Sequence, residues 1–447
     1  MDSKTMIRQL TLALLLGVLS LTGWSMTSLD DSALSNVTGQ ALIQMSQITG
    51  TGTSGTTGTG SSGLTFYRLG FDGSIDLNAN INQLRLGCGG INGAGGCDIS
   101  IDQMSISGNG CANRALNCDA VMTNPYIELA IANNSTPTTR SLAGFRVSAQ
   151  NMSGLLSFGQ NGPTANGINT FSGYMTTNSI TGTAQTQAVN LGGKTDPNST
   201  VLSFATNPNI VLCTSGCYSG NIGTASPSQS QGVNIPSLSV PFTGAPAVID
   251  GNRVTSTSVV ATGAVPTVSL NGGQLYVTMQ NQICVALFIC VPTATVNMQG
   301  SVSGLQTQIN FTEGLGYIHN VQVNSPFYLS FQKQAIQWPG AVAADIAQPG
   351  WWMSFADPVN LGTLNPAQQV SIVPTFNQMA AAFSNYFNAN PIPISTTQGL
   401  QQLFNGQMTV NVGALTIAQT LYMSLANLQL DSHQNVVPNC MGSYKFC

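Results

Sequence analysis

The feature that most limits the folds open to this chain is an alternation of apolar and neutral polar side chains with a period of two residues. It is interrupted in the same way in two copies of one phrase. In "SIDLNANINQLRLG", Ile75, Leu77, Ala79 and Ile81 share a face, the phase slips by one residue, and Leu84 and Leu86 continue it. In "CDISIDQMSISG", Ile99 and Ile101 are followed by the same slip across Asp102-Gln103, and then by Met104 and Ile106. A period of two is the period of a strand, and the slip predicts a bulge or bend at Asn82-Gln83 and its counterpart. A repeat of about twenty residues fits one hairpin of a meander or one coil of a solenoid. The glycine-rich "CGGINGAGGC" between the copies, bracketed by Cys88 and Cys97, reads as a hairpin tip closed by a disulfide and favours the meander.

Strand-like runs recur along the chain, among them "NPYIELAIA", "GQLYVTMQNQICVALFICV", "ATVNMQGSVSGLQTQINF" and "GQMTVNVGALTIA", separated by Gly, Asn and Pro. Helix is expected only at about 365–405, where Asn365 can cap a run in which Met379, Phe383 and Phe387 recur every four residues. The fold class is therefore mainly β: an antiparallel sheet or meander, or a solenoid-like body, with clipped turns and a small helical segment near the C-terminus. Residues 190–235 are poor in large apolar side chains, so we divide the body into β-rich regions 64–235 and 236–447.

The cysteines fall into five close couples: Cys88/Cys97, Cys111/Cys118, Cys213/Cys217, Cys284/Cys290 and Cys440/Cys447. In an exported chain these are expected as local disulfides, each closing a short loop and contributing at most about 3 kcal/mol. Zinc is the rival, chiefly at "CTSGC", but the two histidines, His319 and His433, are far from any couple in sequence.

Export is expected from the N-terminus. Lys4 and Arg8 precede an apolar run from Leu10 to Leu21, and Gly23 and Ser25 suit a signal-peptidase cut, giving a signal peptide at 1–25. Without those residues the chain carries nine Lys and Arg against fourteen Asp and Glu, a net charge of −5. Scattered cations exclude a nucleic-acid surface, and an anionic-lipid surface on the same ground. Only 6% of residues are charged, while the mean hydropathy is +0.15, so the chain folds and is dissolved by neutral polar side chains.

The supply of catalytic groups is thin, with two Glu and two His and no nucleophile elbow, zinc-protease or phosphate-loop motif. No enzyme, cofactor or metal is expected. Asp98 and Asp102 read as solvated strand carboxylates, with Ca²⁺ as the alternative. The one aromatic-plus-acid cluster is Asp345 and Asp357 around Trp351-Trp352, a candidate glycan contact and the basis of an alternative reading as a carbohydrate-binding or carbohydrate-active protein. Core or interface packing is the simpler role for the two tryptophans. An outer-membrane barrel is disfavoured by irregular strand lengths.

Residues 26–48 form a small motif. Asp31 or Ser32 can cap a short helix in which Leu34 and Val37 lie one turn apart, Gly39 can end it, and Ala41, Ile43 and Met45 alternate like a strand. Residues 49–63, "TGTGTSGTTGTGSSG", follow as a Thr/Gly/Ser linker with a reach of roughly 20 Å. The motif has no core of its own, so Leu29, Leu34, Val37, Ile43 and Met45 are expected to dock elsewhere, as an added strand does on an open sheet edge.

The run Met26-x-x-Leu29-Asp30-Asp31-x-x-Leu34-Ser35-x-Val37-Thr38-Gly39-Gln40 resembles the mature start of a loosely characterised group of Gram-negative surface proteins, some described as filament or pilus-like components. The resemblance covers about twenty residues and implies an envelope location and assembly. The resulting expectation is an exported structural or adhesive protein of the bacterial surface. Its expected partners are itself, other filament subunits, or a host or matrix receptor.

Overall fold

The computed structural model describes residues 43–54, 57–109, 119–159, 166–209, 220–286, 289–426, 430–432 and 434. The signal peptide, the motif residues Leu29, Asp30, Asp31, Leu34, Val37 and Gly39, and His433 lie outside them.

The chain from Ile43 onward is mainly β and builds two large sheets, one of twelve strands and one of ten. The first contains an antiparallel series in chain order: β1 (Ile43–Thr49), β2 (Leu64–Phe71), β3 (Ala120–Ala132), β4 (Ser141–Ser157), β5 (Phe327–Gln332) and β6 (Gly350–Phe355). β6 then runs parallel to Ile168–Thr176, which pairs Ile99–Ser107, which pairs Ala79–Leu86. β4 is seventeen residues long, and its far end also pairs Ile99–Ser107, so the path closes on itself. Ile99, Ile101, Phe171, Met353 and Phe355 belong to the core cluster of this region.

The two copies of the repeated phrase are the two arms of one hairpin. Ala79–Leu86 and Ile99–Ser107 pair from Ala79↔Ile106 to Leu86↔Ile99, and the Cys88–Cys97 disulfide closes the tip. The phase slip is real: Gln103 has φ 50°, and the ladder is interrupted where it faces Asn82. Both arms bend at the same point, so the register survives the bend and the apolar residues keep to their side.

The Cys284–Cys290 disulfide likewise joins cross-strand partners near a hairpin end. Two of the five expected bridges are thus present among the described residues. The other three are not observed. Cys111 and Cys118 lie outside the described residues, as do Cys213 and Cys217, and Cys440 and Cys447. The disulfides expected of Cys111 with Cys118, of Cys213 with Cys217 and of Cys440 with Cys447 therefore stay expectations from spacing alone.

The second sheet is organised around Ile289–Gly314, twenty-six residues long. Gly273–Ala286, Val268–Ser269 and Ser256–Ala264 pair with it in succession, and Met408–Ala426 runs parallel to it. Helices α1 (Phe376–Ala389) and α2 (Thr396–Asn405) lie beside this sheet. Met379 and Phe387 of α1 are buried in its core and Phe383 packs on it, so the four-residue apolar stripe is core. A capping box of Ser395 and Gln398 starts α2, and Gly406 at φ 68° ends it.

Three expectations are corrected. Asn365 does not cap a helix; it sits in the short strand Leu364–Pro366, where its Oδ1 accepts from the Thr183 N–H at 2.8 Å, and α1 starts only at Phe376 after a turn containing Pro374. The boundary at residue 235 does not separate two bodies. The first sheet takes strands from 43–49, 64–176, 248–254 and 320–355, the second from 180–185, 203–225, 239–244, 256–314 and 392–426, so residues 203–209 and 221–225 are strands of the latter.

The described part of 49–63 is no tether. Thr53–Ser54 pairs Thr57–Gly58, the Gly58 N–H donates to Ala341 O at 2.8 Å, and the Ser61 N–H donates to Gln337 O at 2.9 Å. A Cβ on Gly60 would stand 2.5 Å from the Phe66 ring, and one on Gly58 2.7 Å from the Gln337 side chain. The small residues let backbone lie directly on the core, a use of glycine that composition alone does not distinguish from flexibility.

Candidate functional site

Register across the first sheet sorts its side chains into two unlike faces. On one face, Ser46, Arg68, Glu128, Arg146, Ser330 and Trp352 stand in a single row across β1 to β6. This row holds every charged residue of those six strands. Glu128 is fully buried and bridges Arg68 at 3.0 Å and Arg146 at 2.7 Å. The Arg146 guanidinium lies 5.3 to 5.5 Å from the ring centres of Tyr126, Tyr328 and Trp338 and also donates to Pro339 O. Arg68 lies 3.9 Å over Tyr126.

The segment between β5 and β6 covers this row. It brings in Asp345, whose carboxylate accepts from Tyr328 Oη at 2.6 Å, from Trp352 Nε1 at 2.9 Å and from Ser354 Oγ. Burial holds the Asp345 carboxyl above its ordinary range despite those donors and Arg146, and burial followed by the Asp345 charge raises the Tyr328 hydroxyl well above its own. Asp345 and Trp352 are each 0% exposed, so neither meets a substrate or a sugar. Asp357 lies apart from this network on the loop after β6, accepting from the Asn324 N–H at 2.9 Å. The Asp345/Asp357 pair and Trp352 as a glycan contact are therefore corrected: the two acids lie on loops at opposite ends of β6 with separate partners, and Trp352 faces the buried row, away from Trp351, because adjacent residues on a strand face opposite ways.

The other face carries two apolar rows. One is Met45, Leu69, Ile127, Val147 and Leu329; the next is Gln47, Tyr67, Leu129, Phe145, Phe331 and Trp351. Trp351 is half-buried, 5.9 Å from Phe145 and 5.4 Å from Phe331 between ring centres. At the β5–β6 end Leu329 and Trp351 pack on core while Phe331 is exposed, and from β1 to β4 much of the face is open, with Leu69, Ile127, Leu129 and Val147 all exposed. β1 docks on β2 within the same chain through its backbone, from Ile43↔Phe71 to Thr49↔Thr65. Ile48 packs against the core beneath the sheet, whereas Ile43 remains 60% exposed and Met45 82%.

Elsewhere the chemistry is sparse. Asp98 accepts from the Trp351 N–H and Asn92 Nδ2, Asp102 accepts from Asn169 Nδ2, and His319 Nδ1 lies 3.1 Å from Phe158 O. Among the described residues no three His, Cys, Asp or Glu side chains gather to hold a metal, and no helix is long and apolar enough to cross a membrane. The zinc alternative weighed for Cys213 and Cys217 falls on residues outside that description. Two apolar cavities inside the second sheet measure about 30 and 50 Å³, far below the ~300 Å³ of an ordinary ligand site. A wide groove of about 900 Å³ on that sheet is lined by amides, among them Gln274, Asn297, Gln299 and Asn411. Comparison with protein-family models, curated proteins and solved structures gives no match.

The Arg68–Glu128–Arg146 row escaped the reading of the sequence, although a signal for it exists. In "NPYIELAIA", Glu128 lies out of phase with Ile127, Leu129 and Ile131, and Arg146 is likewise flanked by Phe145 and Val147. Either set was open to being the buried one, and the usual assignment puts charge outward.

Proposed function

We propose that this chain is an exported, non-enzymatic structural or adhesive protein of a Gram-negative cell surface, a fibre or filament component. Its N-terminal segment joins it to like subunits or to a receptor. The observation that carries the reading is the position of β1. The segment whose Leu29-to-Gln40 pattern resembles that of surface proteins leads directly into β1, the end strand of the first sheet among the described residues, beside a patch of exposed apolar side chains. Three further features support it: two described disulfides clip hairpin ends, neutral polar residues supply solubility, and the most buried carboxylates are sealed in a structural network. Deleting Asp30–Ile48 in the native host tests this. The expected outcome is loss of surface fibres or of surface retention, with the disulfide-bonded body still folded by circular dichroism; an unaltered cell surface refutes the proposal.

A further inference from the structure

The open apolar face of the first sheet is of the size of the largest patch on a soluble monomer, a class of surface that is often functional. Met45, Leu69, Ile127, Leu129, Val147 and Phe331 are between 37% and 82% exposed. At ~150–200 Å² for a whole side chain of this size, they offer roughly 500 Å² of contiguous apolar surface. With Gln47 and Tyr67 at its margin, the face approaches the ~800 Å² per partner of a standard interface. We propose that it docks a second copy of this chain, the same face meeting itself across a twofold axis.

Three observations select that occupant. First, every charge within β1 to β6 is turned to the buried side, so the apolar patch itself is uncharged and meets its own copy without repulsion; the exposed Lys333 and Asp76 lie outside those strands. Second, the face is a core left half covered. It runs without a break into Leu329 and Trp351, which pack on buried residues, and the covering layer stops short of β1.

Third, among the described residues two edge strands differ in how they are covered. Along Met408–Ala426 the Gln378 amide pairs the Tyr422 backbone both ways, at 2.8 and 2.7 Å, and Gln398 donates to Thr409 O at 2.9 Å. β1, "IQMSQIT", has no charge, proline or bulge to deter close approach, and its Met45 is the most exposed large apolar side chain of the patch. The inference stands on the sheet itself and holds whether or not the chain is a surface fibre component.

Sedimentation velocity of the chain from Met26 to Cys447, with disulfides formed, tests it across a range of micromolar concentrations. The expected result is a concentration-dependent dimer that Ile127→Lys weakens at least about tenfold, since the lysine would have to be desolvated in the contact. Val260→Lys, at a similarly exposed position on the other sheet, should leave it unchanged. A monomer at every concentration overturns the proposal, as does a dimer indifferent to Ile127→Lys. Two further arms name the other occupants. Dimerisation that appears only after residues 26–42 are removed assigns the face to the chain's own leader, and flotation with phosphatidylcholine vesicles abolished by Ile127→Lys assigns it to lipid; either result overturns the second copy.

Discussion

At the scale of single residues the decisive group is Glu128, one carboxylate shared by two guanidinium groups. Removing it leaves Arg146, 2% exposed, without a counter-charge, and an orphaned buried charge costs about 3–5 kcal/mol. Glu128→Gln should therefore lower the urea midpoint sharply. Arg68→Gln should cost clearly less, because solvent reaches the Arg68 side chain at 24% exposure.

Asp345 gives a pH dependence with a definite sign. Its folded pKa is raised by burial, so its contribution to stability is complete below the ordinary carboxyl range and is lost as pH rises through the folded value. Denaturation midpoints measured from acid to neutral pH should fall for the native chain relative to Asp345→Asn, and parallel curves would show that Asp345 does not titrate in this way. Neither role was legible in the sequence. Asp345 was visible only as an acid near two tryptophans, and what makes it structural is the meeting of Tyr328, Trp352 and Ser354 from two different strands.

At the scale of elements, the parts that could be read were those whose evidence is local. The hairpin of 79–86 and 99–107 was legible because its period, its phase slip and the Cys88/Cys97 couple all lie within thirty residues. The α1 stripe was legible for the same reason, though its start was not. The misreading of 49–63 has the opposite cause: what orders it is Phe66, Gln337 and Ala341, the last two distant in sequence.

Distant contacts also decide the parallel junction of β6 with Ile168–Thr176. There a Cβ on Gly173 would stand 1.9 Å from the Met353 carbonyl oxygen, a backbone atom that cannot step aside alone. Gly173→Ala should cost at least about 3 kcal/mol, or abolish soluble folded protein, as measured by thermal melting and recovery. A melting temperature equal to that of the native chain would show that the junction can open without loss.

At the scale of the whole molecule, the mainly β class was legible because alternation runs through nearly every segment, but the allocation of strands to sheets was not. Ile289–Gly314 and Met408–Ala426 lie side by side although about a hundred residues separate them, and no local periodicity carries that pairing. The same limit hid which face of the first sheet is covered. Alternation assigns side chains to two faces, and only the third dimension shows that the charged one is sealed by Pro339, Asp345 and their neighbours.

The unequal treatment of the two edges bears on how far an assembly can grow. A contact in which each copy spends the same face on its twin is saturated at two, and the glutamines Gln378 and Gln398 blunt the long strand where further chains would otherwise add. Any fibre made from such pairs must therefore be polymerised through a separate, head-to-tail joint, and the pair, not the single chain, would be its repeating unit.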